Sequence, residues 1–268
     1  MALRLLIAHT PAERDAARRV EARVFLEAFG NTPDVMEAEY GPYEARSRFV
    51  AVIDDADGSA LGTARLVLPD EAGTVKTLVD VAGDPWHLSP ADALAARGLA
   101  GGWVWDVATL AVDPRFRAGS AGAEVSLALC HGIWRYALNC GVDGMVTILD
   151  DGVLRLVQAM GLSWFPMAGA TSHPYLGSPA STPCDFVVAT AGDHVREVQP
   201  ALAPALVEGR FSTISLDPAD LAADRGVPLS EPDPLPVRPL PPRRDTTGWR
   251  PPTERRAATR TATPDPIG

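Results

Sequence analysis

Residues 103–149 constrain the fold more than any other stretch. Trp103 to Val112 is a long apolar run that reads as a strand, interrupted by one acid, Asp106. Asp113 to Ser120 follows as a loop of small and basic residues. A helix then runs to about Asn139, with Val125, Leu129, Ile133 and Ala137 marking one face. Val142 to Leu149 reads as a second strand. Strand, loop, helix and strand make a βαβ unit, which sets its two strands parallel.

The flanking segments are antiparallel in character. Leu3 to Ala8 is a short apolar strand. Thr10-Pro11-Ala12-Glu13 is a capping box with proline at the first helical position, and the helix ends near Gly30-Asn31. Arg48 to Ile53 and Ala60 to Pro69 are two strands joined by a turn, Asp54 to Ser59, that contains Asp-Gly. Residues 70–100 yield only a short helix at Pro90 to Leu99. Asp150 and Asp151 cap a short helix ending at Gly161. Strands near Ser163–Ala168 and Asp185–Ala191 and a last helix, about Asp193 to Glu208, complete the body. This order predicts an α/β (α+β) domain with a mixed sheet rather than a doubly wound parallel one.

Composition divides the chain. Eleven of the 25 prolines lie in 227–268, with seven arginines against five acids. Such a segment buries too little apolar area to offset its ordering entropy. We therefore assign 1–210 to a folded domain and 211–268 to a Pro/Arg-rich, largely disordered tail. The formal net charge of the chain is −10; with +2 in 227–268 the remainder carries −12, which argues against nucleic acid as the partner and suits an amine-bearing one better. No apolar run reaches the roughly 18 residues of a membrane span, and the N-terminus lacks a secretory pattern. A soluble, cytoplasmic protein with no membrane partner is expected. Three cysteines, Cys130, Cys140 and Cys184, form no CxxC pair, so no metal site is expected.

The loop after the long strand has the physics of an anion cradle. Small residues let the chain turn tightly into a helix whose first N–H groups and dipole favour negative charge. Arg115 and Arg117 add charge that matches phosphate, and pyrophosphate is the natural ligand. There is no Gly-Lys-Ser/Thr and no GxGxxG, so neither a Walker loop nor a dinucleotide fingerprint is present.

Here the sequence resembles a family. Val112-x-Pro114-x-Phe116-Arg117-x-x-Ser120-x-Gly122 is similar to the acyl-CoA loop of the GNAT (GCN5-related N-acetyltransferase) acyltransferases, with Ser120 where the middle glycine is usual. The resemblance covers about residues 1–195. It implies a GNAT-like, mainly antiparallel sheet with splayed central strands flanked by helices. It also implies acyl-CoA or acetyl-CoA as co-substrate. Arg117, Ala118, Gly119, Ser120, Ala121 and Gly122 would hold its pyrophosphate, and backbone groups of Leu110 and Val112 would line the pantetheine. Glu21-Ala22-Arg23-Val24-Phe25, Gly62 to Pro69 and Trp105 to Val112 narrow the resemblance to the autoinducer-synthase and N-acyl-amino-acid-synthase branch. Asp106 stands where that branch has glutamate, and Thr109 or Leu110 where it has arginine. The implied activity is N-acylation of a small-molecule amine or amino acid, by a monomer or homodimer. Two other readings follow from the same residues: a synthase fed by acyl carrier protein, and an inactive CoA-binding scaffold acting through its tail.

Asp106 is the candidate catalytic residue, because a lone carboxylate in an apolar strand is paired, neutral or functional. It would take a proton from the attacking amine, directly or through water. Arg65 could bind a substrate carboxylate or lie in an ion pair, and His173 lies in a loop that could face the acceptor. The family's acid tyrosine, four residues before the glycine ending the short helix, is here Val157; Tyr136 and Tyr175 are the tyrosines that could stand in. His131 reads as a core histidine, and the cysteines as packing residues.

Overall fold

A computed structural model describes residues 2–116 and 119–223, with the side chains of 119–121 left out. Arg117, Ala118 and the proline-rich segment 227–268 lie outside the described residues.

The elements run β1 (Leu3–Ile7), α1 (Pro11–Phe29), α2 (Pro33–Tyr40), β2 (Ser47–Asp54), β3 (Ser59–Val67), α3 (Lys76–Ala82), α4 (Pro90–Ala96) and β4 (Val104–Val112). They continue with α5 (Gly119–Cys140), β5 (Gly144–Asp150), α6 (Asp151–Ala159), β6 (Phe165–Pro166), β7 (His173–Tyr175), β8 (Ser178–Val187), α7 (Val188–Val198), α8 (Ala203–Leu206) and β9 (Ile214–Leu216). One sheet carries the order β6-β8-β5-β4-β3-β2-β1-β9, with β7 on β8. Only β4–β5 and β1–β9 are parallel. The mixed, mainly antiparallel sheet agrees with the sequence reading.

Period-two alternation sorts the strand residues onto two covered faces. Leu5, Ile7, Val50 and Val52 pack with the α5 residues Leu129 and Ile133. Leu6, Phe49, Ala51 and Ile53 pack with the α1 residues Ala17, Val20 and Val24. The capping box forms: Thr10 Oγ1 accepts from Glu13 N at 3.2 Å, and Glu13 Oε2 accepts from Thr10 N at 2.9 Å. Two glycines set the α5 contact. A Cβ on Gly132 would lie 2.7 Å from Val50 Cγ1, and one on Gly62 would lie 2.9 Å from Leu129 Cδ1.

Several expected boundaries move. β8 begins at Ser178, well before the expected 185, because antiparallel pairing with β7 at its start and β5 from Ser181 on overrides the poor strand character of Pro179 and Pro183. The expected 193–208 helix is two pieces, α7 and α8, separated around Pro200, which cannot continue a helical ladder. Residues 214–216, placed in the tail by composition, form an edge strand beside β1. Helices α2 and α3 have no counterpart in the sequence reading.

The sheet opens between β4 and β5. Their pairing covers only Val104–Asp106 against Gly144–Val146. Beyond it, β4 stays with β3 as far as Val112, while β5 stays with β8 as far as Asp150. The β3–β4 register shifts between Arg65 and Leu66, which leaves Ala108 as a bulge residue at the opening. Thr147 Oγ1 donates to the Val107 carbonyl at 2.7 Å, the last link before the strands part.

Candidate active site

Two cavities flank the opening, and Leu110 and Leu149 line both. The cavity on the α5 side is apolar, with Val107, Ile133, Met145, Val157, Trp164 and Phe186 in its wall. Two of its polar side chains are occupied. Thr147 is bonded to Val107, and Trp134 Nε1 donates to the Val188 carbonyl at 3.0 Å. Burial pushes the Cys130 thiol in this wall up to about 12, so it stays protonated. Val157 is part of this wall. The cavity on the α1 side is an aromatic cleft. Phe25, Phe29, Tyr40 and Tyr175 line it with Thr109, Asp150 and Ser178.

Asp106 does not line either cavity. Its side chain is fully buried, Oδ2 accepts from Thr77 N at 2.6 Å, and Oδ1 accepts from Thr77 Oγ1 at 3.0 Å. Thr77 lies in the first turn of α3, whose N-cap Val75 has no capping side chain. Asp106 thus caps α3 from another strand. Burial pushes its carboxyl up to about 7, although the Thr77 bonds and Lys76 pull the other way. A group this enclosed borders neither cavity, so direct contact with an amine is not what the geometry offers, and its visible role is to cap α3.

Arg65 is buried in an ion-pair network. Nε and Nη2 grip the two Glu21 oxygens at 2.9 and 2.6 Å, and Nη1 reaches Glu44 at 2.7 Å and Ser47 Oγ at 3.1 Å. The guanidinium also lies 4.6 Å from the Phe49 ring centroid. Its fork is committed, which leaves a substrate carboxylate no place; the ion-pair reading holds. Glu21 passes the order on, accepting from Thr109 Oγ1 at 2.5 Å. Thr109 therefore stands fixed in the cleft wall.

His173, on β7, stays outside the cleft lining. Its Nε2 lies 2.9 Å from Thr171 Oγ1, and its ring edge meets Trp86. Tyr175, two residues on, does line the cleft. Its hydroxyl donates to Asp80 at 2.5 Å and accepts from Lys76 Nζ at 2.7 Å. Burial, with Asp80 beside it, drives its pKa far upward, so it remains a phenol. Burial alone would lower Lys76, but Asp80 and Glu39 outweigh it and keep the ammonium charged. Tyr136 is buried against Trp105 and lines neither cavity.

The expected phosphate loop is partly described. Residues 119–122 open α5, and Pro114–Phe116 form a 3-10 turn. Arg115 folds back on Asp113, with Nε and Nη2 at 3.0 and 2.8 Å, and Arg23 joins the same carboxylate. The Arg115 hydrogen bonds hold Asp113 down at about 2. Arg115 is thus committed to a carboxylate rather than free for phosphate.

Sequence reasoning missed Lys76, Asp80, Tyr40 and the cleft-facing place of Asp150, which it read only as a helix cap. The signal for α3 was present: Val75, Leu78 and Val81 recur at three-residue spacing, and Lys76 and Asp80 are an i, i+4 pair. No cluster of metal-ligating side chains occurs among the described residues, and no helix is long and apolar enough to cross a membrane.

No family profile matches the chain, and no curated protein matches it by sequence. Solved structures match its fold. FeeM, an N-acyl amino acid synthase from uncultured soil microbes, superposes with a TM-score of 0.56 at 18% identity, over 74% of this chain and 96% of that one. TofI, solved with an inhibitor and MTA, gives 0.49 at 19% identity, over 74% and 99%. The likeness to FeeM is one of fold. The chain shares with FeeM a mixed α/β fold, and in it the central strands β4 and β5 part beyond Asp106 and Val146.

Proposed function

We propose that this chain is an N-acyltransferase that moves an acyl group from a coenzyme A thioester to an amine by direct attack. The observation that carries the reading is the opening between β4 and β5, with an apolar cavity on one side, an aromatic cleft on the other, and Leu110 and Leu149 shared by both. A thioester threaded through such an opening puts its acyl chain among Ile133, Trp164 and Phe186 and presents its carbonyl carbon to the cleft. The backbone of Leu110 and Val112, on the β4 edge that β5 has left, runs beside the pantetheine. The N–H groups that open α5 at 119–122 receive the pyrophosphate.

The chemistry needs little from ionisable groups. The amine sheds a proton to solvent and attacks as the free base. A nitrogen–carbon bond forms, the carbon–sulfur bond breaks, and the second amine proton ends on the departing thiol. With a thiol pKa of about 8.5, the leaving group needs no strong acid, consistent with valine at the family's tyrosine position. Holding both reactants across one opening supplies much of the acceleration. Asp106 and Arg65 act as positioning residues: the first fixes α3 and with it Lys76 behind Tyr175, the second fixes Thr109 through Glu21.

The test is thiol release and N-acyl product formation from acetyl-CoA and a long-chain acyl-CoA, each with a panel of amines. Leu110→Trp fills the opening from a half-buried position. Turnover is expected to fall at least a hundredfold while the fold persists. Amine-dependent thiol release unchanged in this variant would overturn the site.

A further inference from the structure

We infer that the acceptor is an amine with an aromatic or bulky apolar body and no carboxylate, held with its nitrogen at Asp150. This rests on the acyltransferase reading and names the substrate class of its cleft.

The lining of the cleft carries the inference. Among the described residues, Asp150 is the only charged side chain in it; no lysine, arginine or histidine lines it. An acceptor with a free carboxylate would enter without a counter-charge and lose its hydration, a costly arrangement. The nearby cations offer no help. Arg65, beneath Thr109, is held by Glu21 and Glu44. Lys76, behind Tyr175, is held by Asp80 and Glu39. Each of these cations is matched by two carboxylates, so the cleft presents negative potential to what enters it.

Asp150 is arranged to keep an oxygen available. Oδ1 accepts from Gly152 N at 2.8 Å, at the start of α6, and Oδ2 accepts from Ser178 Oγ at 2.7 Å. A carboxylate offers about four acceptor directions, so Oδ2 retains room for an N–H donor. The residue is half-buried and forms no ion pair among the described residues. The remaining wall is aromatic. Phe25 and Phe29 meet at a tilt with centroids 5.4 Å apart, and Tyr40 and Tyr175 share the wall with the aliphatic Leu110, Leu149 and Val153. Ring faces suit both an apolar body and a cationic nitrogen.

The experiment compares phenethylamine with L-phenylalanine, which adds only the carboxylate, and with 3-phenylpropionate, which lacks the amine. Binding to the full chain is measured by calorimetry, with and without acetyl-CoA, and acyl transfer is measured separately. Phenethylamine is expected to bind at least tenfold more tightly than phenylalanine, and phenylpropionate not at all. Asp150→Asn is expected to weaken phenethylamine at least tenfold, with the melting temperature and acetyl-CoA affinity unchanged, because asparagine caps a helix as well as aspartate. Phenylalanine binding as tightly as phenethylamine, no phenethylamine binding, or an unaffected Asp150→Asn protein overturns the inference. Failure of the broader reading shows elsewhere: no thiol is released with any amine, while amine binding is still read directly.

Discussion

Asp106 and Asp150 lie on adjacent strands, and each caps a helix. Asp106 sits within β4 with no exposed surface, and both of its oxygens are on Thr77. Asp150 ends β5, half-buried, with one oxygen on the first turn of α6 and the other on Ser178 at the cleft. Their bonding is similar and their access differs. The sealed carboxylate is penalised when ionised and is pushed up to about 7. The rim carboxylate borders the space a ligand would fill. Beneath the cleft, charged groups hold the wall; at its rim, a charged group is left to meet a substrate.

The strongest test of the buried side of this contrast is Arg65→Met. It removes the cation between Glu21 and Glu44 and leaves a buried carboxylate unpaired. The expected cost is about 3–5 kcal/mol in urea denaturation. Arg65→Lys should recover only part of it, because an ammonium cannot reproduce the two-point grip on Glu21. A loss below about 1 kcal/mol would mean that the network does not fix Thr109.

Asp106→Asn follows in size. Asparagine can keep both Thr77 bonds, since its oxygen accepts from the backbone N–H and its amide donates to the hydroxyl. The folded-state pKa of Asp106 lies above its unfolded value, so folding favours the neutral acid. Its stabilising contribution is complete below about pH 4 and is lost as the pH rises through about 7. The full span is about 4 kcal/mol. Wild-type stability relative to Asp106→Asn is therefore expected to decline by up to that amount between pH 4 and 8, and to be flat above. Turnover at pH 8 should stay within a few-fold. A hundredfold loss of kcat in a variant with an unchanged melting temperature would make Asp106 a proton relay after all.

The contrast also marks what the sequence could reveal. Local signals were legible: the Thr10–Glu13 capping box, the turn at 54–59, and the period-two strands that meet α1 and α5. The opening was anticipated only through family resemblance, because pairing that stops at Asp106 and Val146 leaves no mark in either strand. Asp106 read as catalytic because its partner, Thr77, lies 29 positions away in a seven-residue helix. The recurrence of Val75, Leu78 and Val81 marks such a helix only over two turns, and its cap comes from another strand. The edge strand at 214–216 depends likewise on β1, more than two hundred residues earlier. Asp150 showed the reverse failure. Its role as a cap was plain from Asp150-Asp151-Gly152, but its place in the cleft depends on Ser178 and α1, which only the tertiary fold brings near.

The smallest stability effects are expected at Asp150, and they sharpen the comparison most. Asp150→Ala removes the α6 cap and should cost about 1 kcal/mol, whereas Asp150→Asn should cost a few tenths at most. Ser178→Ala deletes the hydroxyl on Oδ2 and leaves the cap itself intact. If Asp150 were a cap and nothing more, alanine and asparagine would rank by stability, and amine affinity would follow that ranking. If it meets the substrate, asparagine should lose the amine as fully as alanine while remaining as stable as wild type. The separation of those two columns, melting temperature and amine affinity, is what assigns the rim carboxylate to binding rather than to the helix it caps.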